Sequence, residues 1–200
     1  MLHPDPSLVF GVSGALSEAL MTGGPAVHSH CFLAARLGEV LSLPSSDEAE
    51  AAAIELLRVA PSRRRHALEE LLHGALHEGL PMRTGGETLL ARVARLLSRL
   101  DATERGRVVA GCAHKSEATR WEELFGACGA PAELLRGCLT GGDPRAAALL
   151  VLPTLHLEGR ECCDAVLEEV RRAAQAHERG EVLAQLERFK ARLLEDAPPS

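Results

Sequence analysis

Leu68, Leu71, Leu72, Ala75 and Leu76 fall at the i, i+3, i+4, i+7, i+8 spacing of a single helix face. The same periodicity returns in Leu89, Leu90, Val93, Leu96, Leu97 and Leu100. Glycine and proline cut the chain at short intervals between such stripes: Gly23-Gly24, Pro44, Pro61, Pro81, Gly85-Gly86, Gly129 with Pro131, Gly141-Gly142, Gly159 and Gly180. An apolar stripe has to be buried against a neighbour, and frequent breaks keep every helix short. Composition closes the alternative. Aromatics are 2% of the residues, with four Phe, one Trp and no Tyr. The chain is built from Ala, Leu, Glu and Arg, which favour helices, and lacks the aromatic residues on which sheets lean.

The punctuation sets out a series of units. Residues 1–11 read as an extended lead-in, because Pro4 and Pro6 block a helix. A first weak helix spans Ser13 to Met21. Pro25 opens the next, which carries Val27, Cys31, Leu33, Ala34, Leu37, Val40 and Leu41 and closes at Ser42-Leu43-Pro44. Ser45-Ser46-Asp47, with Glu48 and Glu50 behind, starts a helix that runs to Val59. Ser62 caps the Leu68–Leu76 helix, and Thr84-Gly85-Gly86 is a joint before the stripe ending at Leu100. Thr103 begins a helix with Val108, Val109 and Cys112 inward. Helices at Ser116–Ala127 and Ala132–Leu139 follow. Asp143-Pro144, a cap followed by a first-turn proline, starts one that reaches Leu157 with a kink or early end at Pro153. Glu161–Glu178 and Glu181–Glu195 complete the series, and 197–200 is a frayed tail. The expected architecture is all-α: an α-solenoid-like array of about ten short antiparallel helices in one domain, residues 12–196. A compact helical bundle is the alternative, but ten helices are many for one bundle core.

Two hundred residues can bury a sizeable core without metals or disulfides. The charge balance, 22 − 28 = −6, argues against a phosphate-seeking protein, so no nucleic acid is expected. No window reaches the roughly 18 apolar residues of a membrane span. The first residues lack the basic and apolar regions of a secretory signal. The six cysteines, at 31, 112, 128, 138, 162 and 163, are scattered without CxxC spacing, which fits buried thiols in a reducing compartment. Cytosol is the expected location.

Residues with chemistry to offer are few. His73 and His77 share a helix face at i, i+4, but the metalloprotease pattern needs Glu after the first His, and Gly74 stands there. A zinc-dependent enzyme built on this pair is the reading set against a scaffold. His28, His30 and Cys31 form a small donor group whose histidines point apart on a helix. Cys162-Cys163 is poor geometry for a disulfide or a shared metal. No cofactor or metal is expected. The glycine pairs lack phosphate-loop spacing and read as helix stops, and Ser13 lacks the nucleophile-elbow context. These observations argue against an enzyme site carried within the chain. The candidate partner contacts are two groups. Arg63, Arg64 and Arg65 lie near a helix start, where the dipole does not favour them, and could face an acidic protein surface or lipid head groups. A solvated face is the plainer reading. Trp121 and Phe125, at i, i+4, are core anchors or interface anchors, and burial of Trp121 separates the two.

The run Val108-Val109-Ala110-Gly111-Cys112-Ala113-His114-Lys115-Ser116-Glu117, then Trp121 and Leu124-Phe125, resembles a family pattern. So do Gly129-Ala130-Pro131, Leu134 to Leu139, Gly142-Asp143-Pro144 and Leu157-Glu158-Gly159, with Ala67 to His73 upstream. Together, best over residues 66–160, they are similar to the C-terminal helical domain of ribosome control protein one, of the Ric family. That family's protein is the large subunit of the Ric–Rgp guanine-nucleotide-exchange complex. The resemblance implies a non-catalytic scaffold that supports retrograde endosome-to-Golgi traffic. It implies an arrestin-like Rgp-type subunit and a Golgi Rab GTPase as partners, and a cytoplasmic protein peripheral on the Golgi membrane. The family carries β-propellers ahead of this domain, so a fragment, a short form or an incomplete gene model is expected here. Another helical-repeat adaptor, of a coat or tethering complex, is the alternative.

Overall fold

The computed structural model describes residues 26–43, 46–59, 61–78 and 87–195. The expected lead-in, the Ser13–Met21 helix, the Thr84-Gly85-Gly86 joint and the tail at 197–200 lie outside the described residues. Eleven α-helices and one 3-10 turn, with no strand, occur among those described. They divide into two compact units that meet in sequence at Leu97 and Ser98.

The first unit holds α1 (Ala26–Leu41), α2 (Ser46–Val59), α3 (Pro61–Glu78) and α4 (Leu89–Ser98). Leu33, Ala34, Leu37 and Leu41 bury one face of α1, which packs against both α2 and α3. From α3 come Ala67, Leu68, Leu71, Leu72, Ala75 and Leu76, the stripe legible in the sequence, all buried. Each such leucine contributes roughly 1.5–3 kcal/mol through burial. The expected Ser62 cap is corrected: α3 starts at Pro61, so Ser62 lies in its first turn. Proline is favoured at that first position because its missing N–H would have had no intrahelical partner there.

α4 is tied down by polar bonds. Arg92 is 4% exposed, and its Nη1 donates to the carbonyls of Leu41 at 2.7 Å and Leu43 at 2.6 Å. α1 has no basic residue in its own last turn, so Arg92 supplies the cation and donors its C-terminal carbonyls need. Arg92 also pairs with Glu87 at 3.4 Å, and Arg95 bridges Glu87 to the buried Glu50 of α2.

The second unit holds α5 (Ala102–Lys115), a 3-10 turn (Ala118–Arg120), α6 (Trp121–Cys128), α7 (Pro131–Thr140), α8 (Pro144–Leu149), α9 (Val151–Glu158), α10 (Arg160–Ala176) and α11 (Gly180–Glu195). α7 is its centre and touches α5, α8, α9 and α10. Asp101 caps α5 through the Glu104 amide at 2.9 Å, and Asp143 caps α8 through the Ala146 amide at 3.0 Å. Val108, Val109 and Cys112 are wholly buried, as their spacing requires.

Two boundaries differ from the sequence reading. The expected Ser116–Ala127 helix begins only at Trp121. The Ser116 hydroxyl bonds back to the Cys112 carbonyl at 2.9 Å, and Ser116 and Glu117 are extended. The expected 144–157 helix is two helices parted at Leu150. Pro153 cannot donate to the Leu149 carbonyl and its ring crowds that oxygen, so the break falls one turn ahead of it.

α5 and α7 approach closely because of three glycines. A Cβ at Gly106 would stand 2.6 Å from Cys138 Sγ and 2.7 Å from the Leu134 carbonyl oxygen. One at Gly137 would stand 2.8 Å from the Ala102 carbonyl oxygen, and one at Gly141 would meet the Thr103 side chain at 2.1 Å. The Thr103 hydroxyl donates to the Gly137 carbonyl at 3.0 Å across the same crossing. Gly141 is thus more than the helix stop read from sequence. The stop itself is at Gly142, whose φ is +69°.

Candidate docking surfaces

Trp121 and Phe125 sit together on α6 and point inward, 8% and 5% exposed. The Trp121 indole N–H donates to the Ala113 carbonyl at 3.2 Å, near the end of α5. Its ring meets His156 of α9 edge-on, centroids 5.6 Å apart. Their assignment as partner contacts is therefore corrected. A fully engaged indole joining three helices is a core anchor and leaves no face for a partner.

Arg63 and Arg64 are half-buried and Arg65 is exposed, all in the first turns of α3. Arg65 pairs at 3.1 Å with Glu69 one turn on. The helix thus brings part of its own counter-charge to the run, and no acidic residue stands in its first turn.

His73 and His77 lie side by side on α3, ring centroids 4.3 Å apart. Among the described residues, no group of three His, Cys, Asp or Glu side chains is placed to hold a metal ion. Cys31 is exposed and Cys162 half-buried, while Cys112, Cys128, Cys138 and Cys163 are buried. The expectation of buried thiols thus holds for four and fails at Cys31, on the solvent side of α1. Burial pushes the thiols of Cys128 and Cys138 up to about 12 and that of Cys163 to about 11, so none is a thiolate at neutral pH.

One concavity of the second unit escaped the sequence reading. It is an open cleft of about 550 Å³ between Arg107 of α5, the α7–α8 turn and the α10–α11 turn. Arg107 Nε donates to Asp143 Oδ2 at 2.7 Å, while the other carboxylate oxygen caps α8. Arg145, Glu178, Arg179 and Glu181 bring further charges of both signs to its walls. No sequence signal marks it, because its residues come from segments about 35 apart. The walls can recognise charge, and the guanidinium groups suit carboxylate or phosphate partners. No described helix is long and apolar enough to cross a membrane.

Among the described residues, short helices without strands, each burying one stripe on its neighbours, define an all-α fold of the α-solenoid class. Residues 40–198 match the family model described as the RIC1 C-terminal alpha solenoid region, and the chain belongs to that family. The match extends beyond the 66–160 stretch that carried the resemblance. No curated protein and no solved structure matches the chain.

Proposed function

We propose that this chain is the scaffold and docking region of a guanine-nucleotide-exchange complex acting on a Golgi Rab GTPase. Its direct partner in that reading is an arrestin-like Rgp-type subunit. The assembly is cytoplasmic, peripheral on the Golgi membrane, and supports retrograde endosome-to-Golgi transport. The chain itself performs no bond-making step. The observation that carries the reading is the family match over 40–198. The chemistry of the described residues is in keeping with it: deeply buried thiols are protonated, and the indole and many arginines are spent on packing and ion pairs. Exchange needs no proton transfer. It needs a surface that prefers the nucleotide-free GTPase to the loaded one, and a scaffold holds that surface in place.

The test is release of a fluorescent GDP analogue from the Rab. The complex is assembled from the large subunit, with or without the segment corresponding to this chain, and the arrestin-like subunit. The expected result is rapid release by the complete assembly, none by this chain alone, and loss of release or assembly when the segment is removed. Full exchange without the segment would contradict the reading, and so would stable assembly with a coat or tether subunit in place of the Rab machinery.

A further inference from the structure

His73 and His77 occupy successive turns of α3, their imidazole rings 4.3 Å apart between centroids and tilted by 46°. His73 is half-buried and His77 exposed, so solvent reaches both. Among the described residues, neither imidazole forms a hydrogen bond or an ion pair. Their ring nitrogens are uncommitted, unlike the Trp121 indole, whose N–H is spent on a carbonyl. Gly74 carries no side chain between them, and a Cβ there would meet nothing within 4 Å, so the flank of the pair is open. The charge around the pair has one sign. From His66 to Glu78 the sequence holds Glu69, Glu70 and Glu78 and no Lys or Arg. Glu69 is paired with Arg65, while Glu70 stands exposed three residues before His73 on the same stripe. His77 lies in the last turn of α3, at the negative end of the helix dipole, where a cation is favoured.

We propose that His73 and His77 chelate a divalent transition-metal ion of the zinc class, through one imidazole nitrogen from each. The i, i+4 helical spacing is the one at which two histidines share such an ion. Imidazole suits zinc and its neighbours in the transition series, whereas Mg²⁺ and Ca²⁺ take oxygen ligands. Nitrogens about 2.0–2.1 Å from an ion, near the tetrahedral angle, hold their rings roughly 5 Å apart between centroids. The observed 4.3 Å reaches that arrangement by a small rotation of the rings about their side-chain bonds. Among the described residues, no third His, Cys, Asp or Glu completes a ligand set. The pair is therefore neither a closed structural site nor a catalytic one. Water fills the remaining positions, the ion exchanges with solvent, and it clips the last turns of α3 together. Partner docking does not depend on it.

The test is a titration of the isotope-labelled full chain with Zn²⁺, followed through the histidine side-chain resonances by nuclear magnetic resonance, with Mg²⁺ as the control ion. Zn²⁺ is expected to shift the His73 and His77 resonances together and saturably, ahead of those of the exposed His114 of α5, and Mg²⁺ to leave them in place. His73→Ala and His77→Ala each remove one ligand. Each should weaken Zn²⁺ binding at least about tenfold, since loss of even an outer-shell partner costs that much. His114→Ala should leave the binding unchanged. Absent shifts at the pair, earlier shifts at His114, an equal response to Mg²⁺, or unchanged affinity in either single variant of the pair would each overturn the proposal.

Discussion

Gly106 on α5 lies directly over Cys138 on α7, close enough that a methyl group added at position 106 would stand 2.6 Å from the sulfur. The crossing of these helices therefore depends on a missing side chain. Gly106→Ala or Gly137→Ala should destabilise the second unit by about 1–3 kcal/mol, the usual cost of overpacking. Gly126→Ala, at a helical position with nothing within 4 Å, is the control and should be neutral or stabilising by about 0.5–1 kcal/mol. Urea unfolding followed by circular dichroism measures all three. Equal stability for the Gly106 and Gly126 variants would contradict the close crossing.

Arg92 gives a second prediction. Arg92→Met keeps much of the buried stem but leaves the Leu41 and Leu43 carbonyls without their donor. Loss of roughly 1–3 kcal/mol follows from unsatisfied acceptors and the broken pair with Glu87. Faster amide exchange at the end of α1 would place the damage there, and unchanged exchange would show that the cap contributes nothing.

Trp121 separates core from interface. Trp121→Phe removes the donor to Ala113 and should cost about 1 kcal/mol beyond lost volume. Trp121→Ala should cost about 3–5 kcal/mol. A Trp121→Ala variant with wild-type unfolding but weakened partner binding would restore the interface reading.

The helices were legible where the signal is local. Leu68 to Leu76 and Val108 to Cys112 announce buried faces by spacing, and Asp143-Pro144 announces a cap. What was hidden depends on segments that meet only after folding. Arg92 caps a helix that ends 51 residues earlier. Gly106, Gly137 and Gly141 matter through the backbone and side chains opposite. The cleft takes its arginines from three separate segments of the chain. Trp121 is the intermediate case. Its pairing with Phe125 was readable, but its inward direction was set by the Ala113 carbonyl and His156.

Thiol titration lowers stability at alkaline pH. The folded thiols of Cys128 and Cys138 stand at about 12, and Cys163 at about 11, against 9.0 for an ordinary thiol. Between those values the unfolded chain gives up protons that the folded chain keeps, so stability falls as pH rises from about 9 toward 12. Cys31, exposed, should react first with a maleimide at neutral pH, while the buried four stay protected until unfolding. Rapid modification of all six in the native protein would contradict this burial.

The most direct measurement of the central claim is equilibrium binding of this chain to the purified arrestin-like subunit. The docking account predicts a saturable complex without added nucleotide or metal, unaffected by His73→Ala/His77→Ala. No detectable complex at micromolar concentrations, or binding that requires zinc and is lost with the histidines, would contradict it.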